Sequence, residues 1–305
     1  MKASKDPSIF VTGATGLLGR AVLHELLEKG FRATGLAFHR AAPHCIRADL
    51  TDTTAIPALL DKLAPNIVIH CAAERHPDVS QRNPERTRRL NVDATHAIAS
   101  WCTANGAFLI VISTDYVFDG TNPPYRVDDE PNPLNAYGAS KLAAEKAALE
   151  ASRGAAVILR VPILYGKTES LAESAVTVLA DNLLKASPES TLFFEARCIR
   201  YPTHTGDVAI VLRKMIEAEL DGLALHGIYH WSGSEPMTKY DMARTMASAL
   251  PASSVTLAPD TRPPTGAPRP VDSHLDISRL EKLGLSVHGR PFARAVAEIL
   301  KAKIR

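Results

Sequence analysis

The sequence predicts an α/β fold: a doubly wound parallel sheet with a smaller α+β lobe toward the C-terminal end. Three observations carry this expectation. Short β-rich runs alternate with longer amphipathic ones through the first half of the chain, the rhythm of strand–helix–strand units. Residues 67–71 read IVIHC, a run without polar alternation, as expected of a parallel strand covered on both faces. A glycine-rich stretch lies between the first strand and the first helix, the signature position of a Rossmann-type sheet.

Residues 9–12 read as a strand and 17–29 as a helix, with Leu18, Val22, Leu26 and Leu27 at helical spacing until Gly30 stops it. Strands follow at 32–38 and 45–48, then a helix at 53–63 and the buried strand at 67–71. A long helix at 85–105 ends at Gly106, and 107–112 is another buried strand. A loop rich in Asp, Asn and Pro (115–135) leads to a helix at 136–151 and a strand at 155–160. Beyond Tyr165-Gly166 the rhythm loosens: helix 174–186, strand 191–195, helix 206–220, strand 227–231, and helix 238–250 capped by Thr238. The five prolines of 259–270 predict an extended loop, and helices at 277–283 and 292–303 close the chain. The expected division is a dinucleotide-binding half at 1–165 with a returning segment at 199–232, and a smaller substrate lobe at 166–198 and 233–305.

Composition narrows the function. Of 305 residues, 35 are Lys or Arg and 33 Asp or Glu, a formal charge of +2 that argues against a general nucleic-acid binder. No apolar run approaches the ~18–20 residues of a membrane span, and polar Met1 to Ser8 predict no secretory leader. Cys45, Cys71, Cys102 and Cys198 are scattered without a C-x-x-C pair, and the histidines form no ligand cluster. That predicts reduced thiols, a cytoplasmic location and no metal.

The chemistry is concentrated in a few short stretches. In Thr12-Gly13-Ala14-Thr15-Gly16-Leu17-Leu18-Gly19, Gly13 permits a tight turn, Gly16 lets backbone approach a pyrophosphate, and Gly19 lets the helix pack closely. At the end of the second strand an NAD site usually carries an acidic residue for the ribose 2′-hydroxyl. Here Phe38-His39-Arg40 offers a guanidinium instead, which favours NADP(H) through a bidentate 2′-phosphate contact; the alternative is a solvated surface arginine. Asp49-Leu50 is placed to hold adenine, and Cys71-Ala72-Ala73 gives small side chains where a ribose passes; plain strand-end chemistry is the alternative for both. Tyr137 and Lys141 stand four apart and share a helix face, so both reach one cleft. The nearby cation is expected to lower the phenol's pKa toward working pH. Thr114, with Ser113, ends a strand at the carboxyl edge of the sheet, where a hydroxyl can orient a carbonyl. Asn91 is a poor interior helix residue: it marks either a bent site beneath the cleft or an ordinary exposed position.

Together these motifs resemble the extended short-chain dehydrogenase/reductases. Ser113-Thr114-Asp115-Tyr116-Val117-Phe118-Asp119-Gly120 resembles the dTDP-4-dehydrorhamnose reductases. Longer blocks are similar to the regulatory β subunits of methionine adenosyltransferase: Cys71-Ala72-Ala73-Glu74-Arg75, Asp119 to Arg126, Val161 to Gly166, Glu173 to Val178, and His230 to Gly233 followed by Met237 to Tyr240. The resemblance implies an NADP(H) site built from Thr15 to Leu18, Phe38 to Arg40, Asp49, Leu50, Cys71, Arg75, Tyr137, Lys141 and Leu164. It also implies a partner, the catalytic α subunit of that synthetase; a nucleotide-sugar substrate is the alternative. In catalytic terms it gives Thr114, Tyr137 and Lys141 the roles of a reductase triad. Two departures stand out. The family pattern has two arginines where this chain has His39 and Arg40, and His39 is charged only below a pKa near ~6.5. The animal subunits continue past the last helix into an aromatic, basic docking tail, whereas the sequence here ends Lys303-Ile304-Arg305. That predicts partner contact through the lobe surface or residues 292–303.

Overall fold

The computed structural model describes residues 6–38, 42–250, 255–263 and 265–304. Its first half holds strands β1 (Ser8–Thr12), β2 (Arg32–Ala37), β3 (Cys45–Arg47), β4 (Ile67–His70), β5 (Phe108–Thr114) and β6 (Val157–Val161). Between them run helices α1 (Leu17–Glu28), α2 (Ile56–Leu63), α3 (Pro77–Arg82), α4 (Pro84–Arg88), α5 (Ala94–Asn105) and α6 (Ala136–Ala151). The second half adds β7 (Leu164–Tyr165), α7 (Val178–Lys185), β8 (Thr191–Glu195), β9 (Thr203–His204), α8 (Thr205–Leu220) and β10 (Gly227–His230). It closes with α9 (Lys239–Ala249), β11 (Thr256–Asp260), α10 (Ser278–Lys282) and α11 (Phe292–Ile304).

Seven strands form one parallel sheet in the order β10-β6-β5-β4-β1-β2-β3. The chain starts in the middle, winds one way to β3, then returns to β4 and winds the other way, which is the Rossmann pattern predicted. Successive residues serve opposite faces. Ile9, Val11, Ile69, Ile110 and Ile112 face α1 and α8, where Val22, Leu26, Val208 and Leu212 cover them. Phe10, Val68, Leu109, Val111 and Ile158 face α2, α5 and α6, where Leu60, Ile98, Trp101 and Ala148 complete a second layer. Each such aliphatic side chain contributes about 1.5–3 kcal/mol when removed from water. The smaller lobe has its own apolar centre, where Leu179 and Leu183 of α7, Met242 and Met246 of α9, and Phe292, Val296 and Leu300 of α11 pack over Phe194 of β8.

Some element boundaries differ from the sequence expectation. The long helix of 85–105 is helical but passes through a π turn at Arg89–Asp93 between α4 and α5. The helix of 174–186 starts at Val178, because the Ser174 hydroxyl bonds Leu164 O and takes the amides of Val176 and Thr177. The proline-rich segment is not wholly loop: Thr256–Asp260 pairs with β8 as a two-stranded parallel sheet. Pro259 is tolerated there because β11 has a neighbour on one side only. The short helix α3 and the β7–β9 pair have no counterpart in the sequence reading.

Candidate functional site

A cavity of about 990 Å³ opens along the carboxyl ends of β1, β2, β4, β5 and β6 and is closed on its far side by the smaller lobe. Gly13, Thr15, Gly16, Leu17, Leu18, Gly19, Phe38, Asp49, Leu50, Cys71, Ala72, Ala73, Arg75, Thr114, Tyr137, Lys141 and Leu164 all line it. The fold thus brings together, in one cavity, every sequence-predicted site residue that the structure describes. His39 and Arg40 lie outside the described residues.

The glycine turn is built by exclusion. Gly13 has φ +65°, and a Cβ there would meet the Ala72 backbone at 2.9 Å. A Cβ on Gly19 would stand 2.2 Å from the Gly13 carbonyl oxygen, so only glycine lets α1 sit this close to the turn. Gly16, the residue before α1, offers no side-chain cap, so the first amides of that helix keep their affinity for an anion in the cavity. The cradle therefore fits a dinucleotide pyrophosphate. The other wall of the turn is held by Thr12, which pairs in register with His70. Its hydroxyl accepts the Cys71 and Ala72 amides, both at 3.1 Å, and gives its own proton to His70 Nδ1 at 2.7 Å. His70 Nε2–H then donates to Thr95 Oγ1 at 3.0 Å, whose proton goes to Asn91 O. Burial holds His70 neutral, with its pKa pushed down to about 3.

Asn91 is fully buried in the π turn, beneath the cleft. Its side chain accepts from Glu74 N at 2.8 Å and donates to Glu74 O at 3.0 Å and Ser140 Oγ at 2.9 Å. Ser140 donates to Tyr137 O at 2.7 Å, so the turn braces the first turn of α6. A π turn supplies the extra residue needed to aim this amide inward.

Two catalytic expectations change. Lys141 was expected to draw Tyr137 toward tyrosinate, but burial is the largest influence on the phenol and raises its pKa; the Thr114 hydrogen bond and Arg75 act only partly against it. Tyr137 is therefore held as a protonated donor. Lys141 itself is 3% exposed and burial lowers it to about 8, opposed by Glu145 and Cys71. Ser113 was expected beside Thr114 as a carbonyl-orienting hydroxyl, but it donates to the Glu145 carboxylate instead. Thr114 Oγ1 donates to Asp115 Oδ1 at 3.1 Å and takes Tyr116 N at 3.2 Å. Asp115 in turn accepts from Ser273 of the smaller lobe at 2.5 Å.

Just beyond β3, Asp49 lines the cavity with one oxygen given to Thr51, accepting its amide at 2.8 Å and its hydroxyl at 2.7 Å. The Cys71 thiol is pushed up to about 12 by burial and stays protonated. Arg75 donates to Glu173 O at 2.6 Å, and Arg20 joins Thr15 O (2.7 Å) to the Glu173 carboxylate (2.7 and 2.8 Å). These bonds tie the segment before α7 to the glycine turn. Sequence reasoning gave no site role to Glu145, Arg160, Arg20 or Arg200, and marked Glu173 and Lys239 only as members of family-like blocks. Arg200, Lys239, Arg262 and Arg269 line the cavity together with the carboxylates Glu195 and Asp260. Among the described residues no group of three or more His, Cys, Asp or Glu is placed to hold a metal, and no helix is long and apolar enough to cross a membrane.

Comparison with known proteins agrees with this architecture. The RmlD substrate binding domain family matches residues 7–304. Methionine adenosyltransferase 2 subunit beta of Bos taurus is 46% identical over 293 residues, 96% of this chain and 86% of that one. The dTDP-4-dehydrorhamnose reductase of Mycolicibacterium smegmatis is 32% identical over 282 residues, 91% of this chain and 80% of that one. A crystal structure of a dTDP-4-dehydrorhamnose reductase from Clostridium acetobutylicum superposes with a TM-score of 0.84 at 26% identity, covering 98% of this chain and all of that one.

Proposed function

The chain belongs to the RmlD substrate binding domain family and, within it, to the methionine adenosyltransferase β-subunit relatives; from that premise we propose that it is an NADP(H)-binding regulatory subunit of a methionine adenosyltransferase. The observation that carries the regulatory half is the 46% identity to those subunits across 96% of the chain, against 32% to the reductase. For the cofactor half, the support is the glycine cradle, the uncapped α1 N-terminus and the cavity that joins them to Tyr137 and Lys141.

In this reading residues 1–165 with 199–232 hold the cofactor, and 166–198 with 233–305 form the smaller lobe. Thr15 to Leu18 cradle the pyrophosphate, with the Gly16 amide kept on Gly13 O at 2.8 Å, Arg75 assists them, and Phe38, Asp49 and Leu50 border the adenosine. Cys71, Ala72, Ala73 and Leu164 border the nicotinamide ribose, which Tyr137 and Lys141 hold from α6. Arg40, with His39 when protonated, takes the 2′-phosphate. A charge-assisted contact of this kind is worth about 1.5–3 kcal/mol. Calorimetry tests it: NADPH binds more tightly than NADH, and Arg40→Ala weakens NADPH by about tenfold while sparing NADH. Equal affinity for the two cofactors overturns the NADP(H) assignment. The regulatory half is tested by affinity purification from the native cell, where mass spectrometry should identify the synthetase catalytic subunit.

A second reading, an NADPH-dependent reductase of a nucleotide sugar, is favoured by one observation: Thr114, Tyr137 and Lys141 line the same cavity as the cations Arg200 and Lys239. The bound cofactor would supply hydride. Tyr137 would give its phenolic proton to the carbonyl oxygen, Thr114 would orient that oxygen by turning its hydroxyl from Asp115 Oδ1 to it, and Arg200 and Lys239 would face the anionic diphosphate.

A further inference from the structure

Glu173 opens the family-like block Glu173 to Val178, and its backbone and side chain join segments far apart in the chain at the rim of the cavity. We propose that Glu173 is a positioning residue of the cofactor site: its carboxylate fixes the turn whose carbonyl holds Arg75 in place for the pyrophosphate. The proposal rests on the reading that a nicotinamide dinucleotide occupies the cavity.

Leu171–Glu173 is a single 3-10 turn. Glu173 Oε2 accepts the Glu169 amide at 2.9 Å, which closes the segment on itself. The same carboxylate takes Arg20 bidentately, with Nη1 on Oε1 at 2.8 Å and Nη2 on Oε2 at 2.7 Å. Two parallel charged bonds fix direction as well as distance. Arg20, in the first turn of α1, also donates from Nη1 to Thr15 O at 2.7 Å, so the turn is anchored to the glycine cradle. On its other side, Glu173 O accepts Arg75 Nη2 at 2.6 Å. Thr15 and Arg75 both line the cavity, whereas Arg20 and Glu173 do not. The bonded line from Thr15 through Arg20 and Glu173 to Arg75 therefore begins and ends on ligand-facing residues and passes outside the cavity between them.

Arg75 is exposed, and among the described residues its guanidinium makes no other hydrogen bond or ion pair. An arginine without an anchor samples many rotamers and loses that freedom on taking a phosphate. Held through Nη2, Arg75 keeps Nε and Nη1 for the ligand, and its ordering is already met in folding. The ion pair as such does not explain the arrangement. The Arg20 and Glu173 side chains are 25% and 13% exposed, and pairs that water reaches contribute little to stability. Glu169 offers Arg20 a second carboxylate at 3.3 Å, but Glu173 is the residue that joins this guanidinium to Arg75.

The test is a double-mutant cycle on NADPH affinity, measured by calorimetry for the unsubstituted chain, Glu173→Gln, Arg75→Ala and the double variant. Glu173→Gln should weaken binding by about fivefold and Arg75→Ala by about tenfold. Because one residue acts through the other, the double variant should bind no more weakly than Arg75→Ala alone. Losses that multiply to about fiftyfold mean that Glu173 acts without Arg75, and overturn the proposal. Full affinity in Glu173→Gln or in Arg75→Ala overturns it also. If Glu173→Gln does not fold, Glu173→Asp keeps the charge on a side chain one methylene shorter and is carried through the same cycle, with the same non-additivity expected. Absence of NADPH binding by the unsubstituted chain overturns the cofactor reading and this proposal together; binding with losses that multiply overturns this proposal alone.

Discussion

Tyr137 gains its usefulness from being difficult to ionise. Desolvation raises its phenol and Thr114 touches it, so at neutral pH the side chain has a proton to give, not one to take. If the chain reduces a carbonyl, Tyr137→Phe removes that proton and nothing else of similar size. Turnover with a dTDP-keto-sugar should fall by at least about a hundredfold, with the melting temperature close to that of the unsubstituted chain and NADPH affinity reduced by no more than the one ribose hydrogen bond, about 0.5–1.5 kcal/mol. Activity that survives in Tyr137→Phe identifies a different acid. The Tyr137 and Lys141 pair was readable in the sequence because four residues make one helical turn. The state of each proton was not, since it depends on what three-dimensional packing excludes. Glu145 is the clearest case: its partners Arg160 and Ser113 lie 15 and 32 residues away. No local pattern joins them.

Among the elements, the turn from β1 to α1 carries most of the site. Its glycines were legible because the fingerprint is local and each glycine answers a steric demand at that place. What the sequence did not disclose is the second wall, where Thr12, His70, Thr95 and Asn91 form a bonded line from β1 to the π turn. Asn91 gave a hint as a poor helix residue, but its bonds to Glu74 and Ser140 depend on the loop after β4, the π turn and α6 meeting beneath the cleft. The steric reading of Gly19 makes a sharp prediction. A methyl group at Gly19→Ala would press within 2.2 Å of the Gly13 oxygen, so α1 must move away from the turn. The expected cost is about 1–3 kcal/mol of stability, seen as a lowered melting temperature, with NADPH binding weakened by about tenfold or more. An unchanged melt together with unchanged affinity would sink the close-packing account of the turn.

At the scale of the whole molecule, the doubly wound sheet was predictable because short, continuous apolar runs and amphipathic helices alternate in order. The smaller lobe was less so: β8 and β11 pair across about sixty intervening residues, and Pro259 disguised the second strand. This lobe also bears on association. Lys303 of α11 donates to Glu169 O at 2.7 Å, and Glu169 lies in the segment that Arg20 and Arg75 tie to the glycine turn. The cofactor contacts proposed at Thr15 and Arg75 thus lie one bonded segment away from the last helix, the surface expected to meet a partner. A ligand that binds the associated state better must strengthen association by the same factor. The regulatory reading therefore predicts a complex that NADPH tightens, with an interface above ~1,000 Å² that persists at moderate salt. The direct measurement is size-exclusion chromatography of the purified chain mixed with its own organism's methionine adenosyltransferase, at micromolar concentration, with and without NADPH. Co-elution, more complete when NADPH is present, is the predicted result; separate elution in both runs contradicts it.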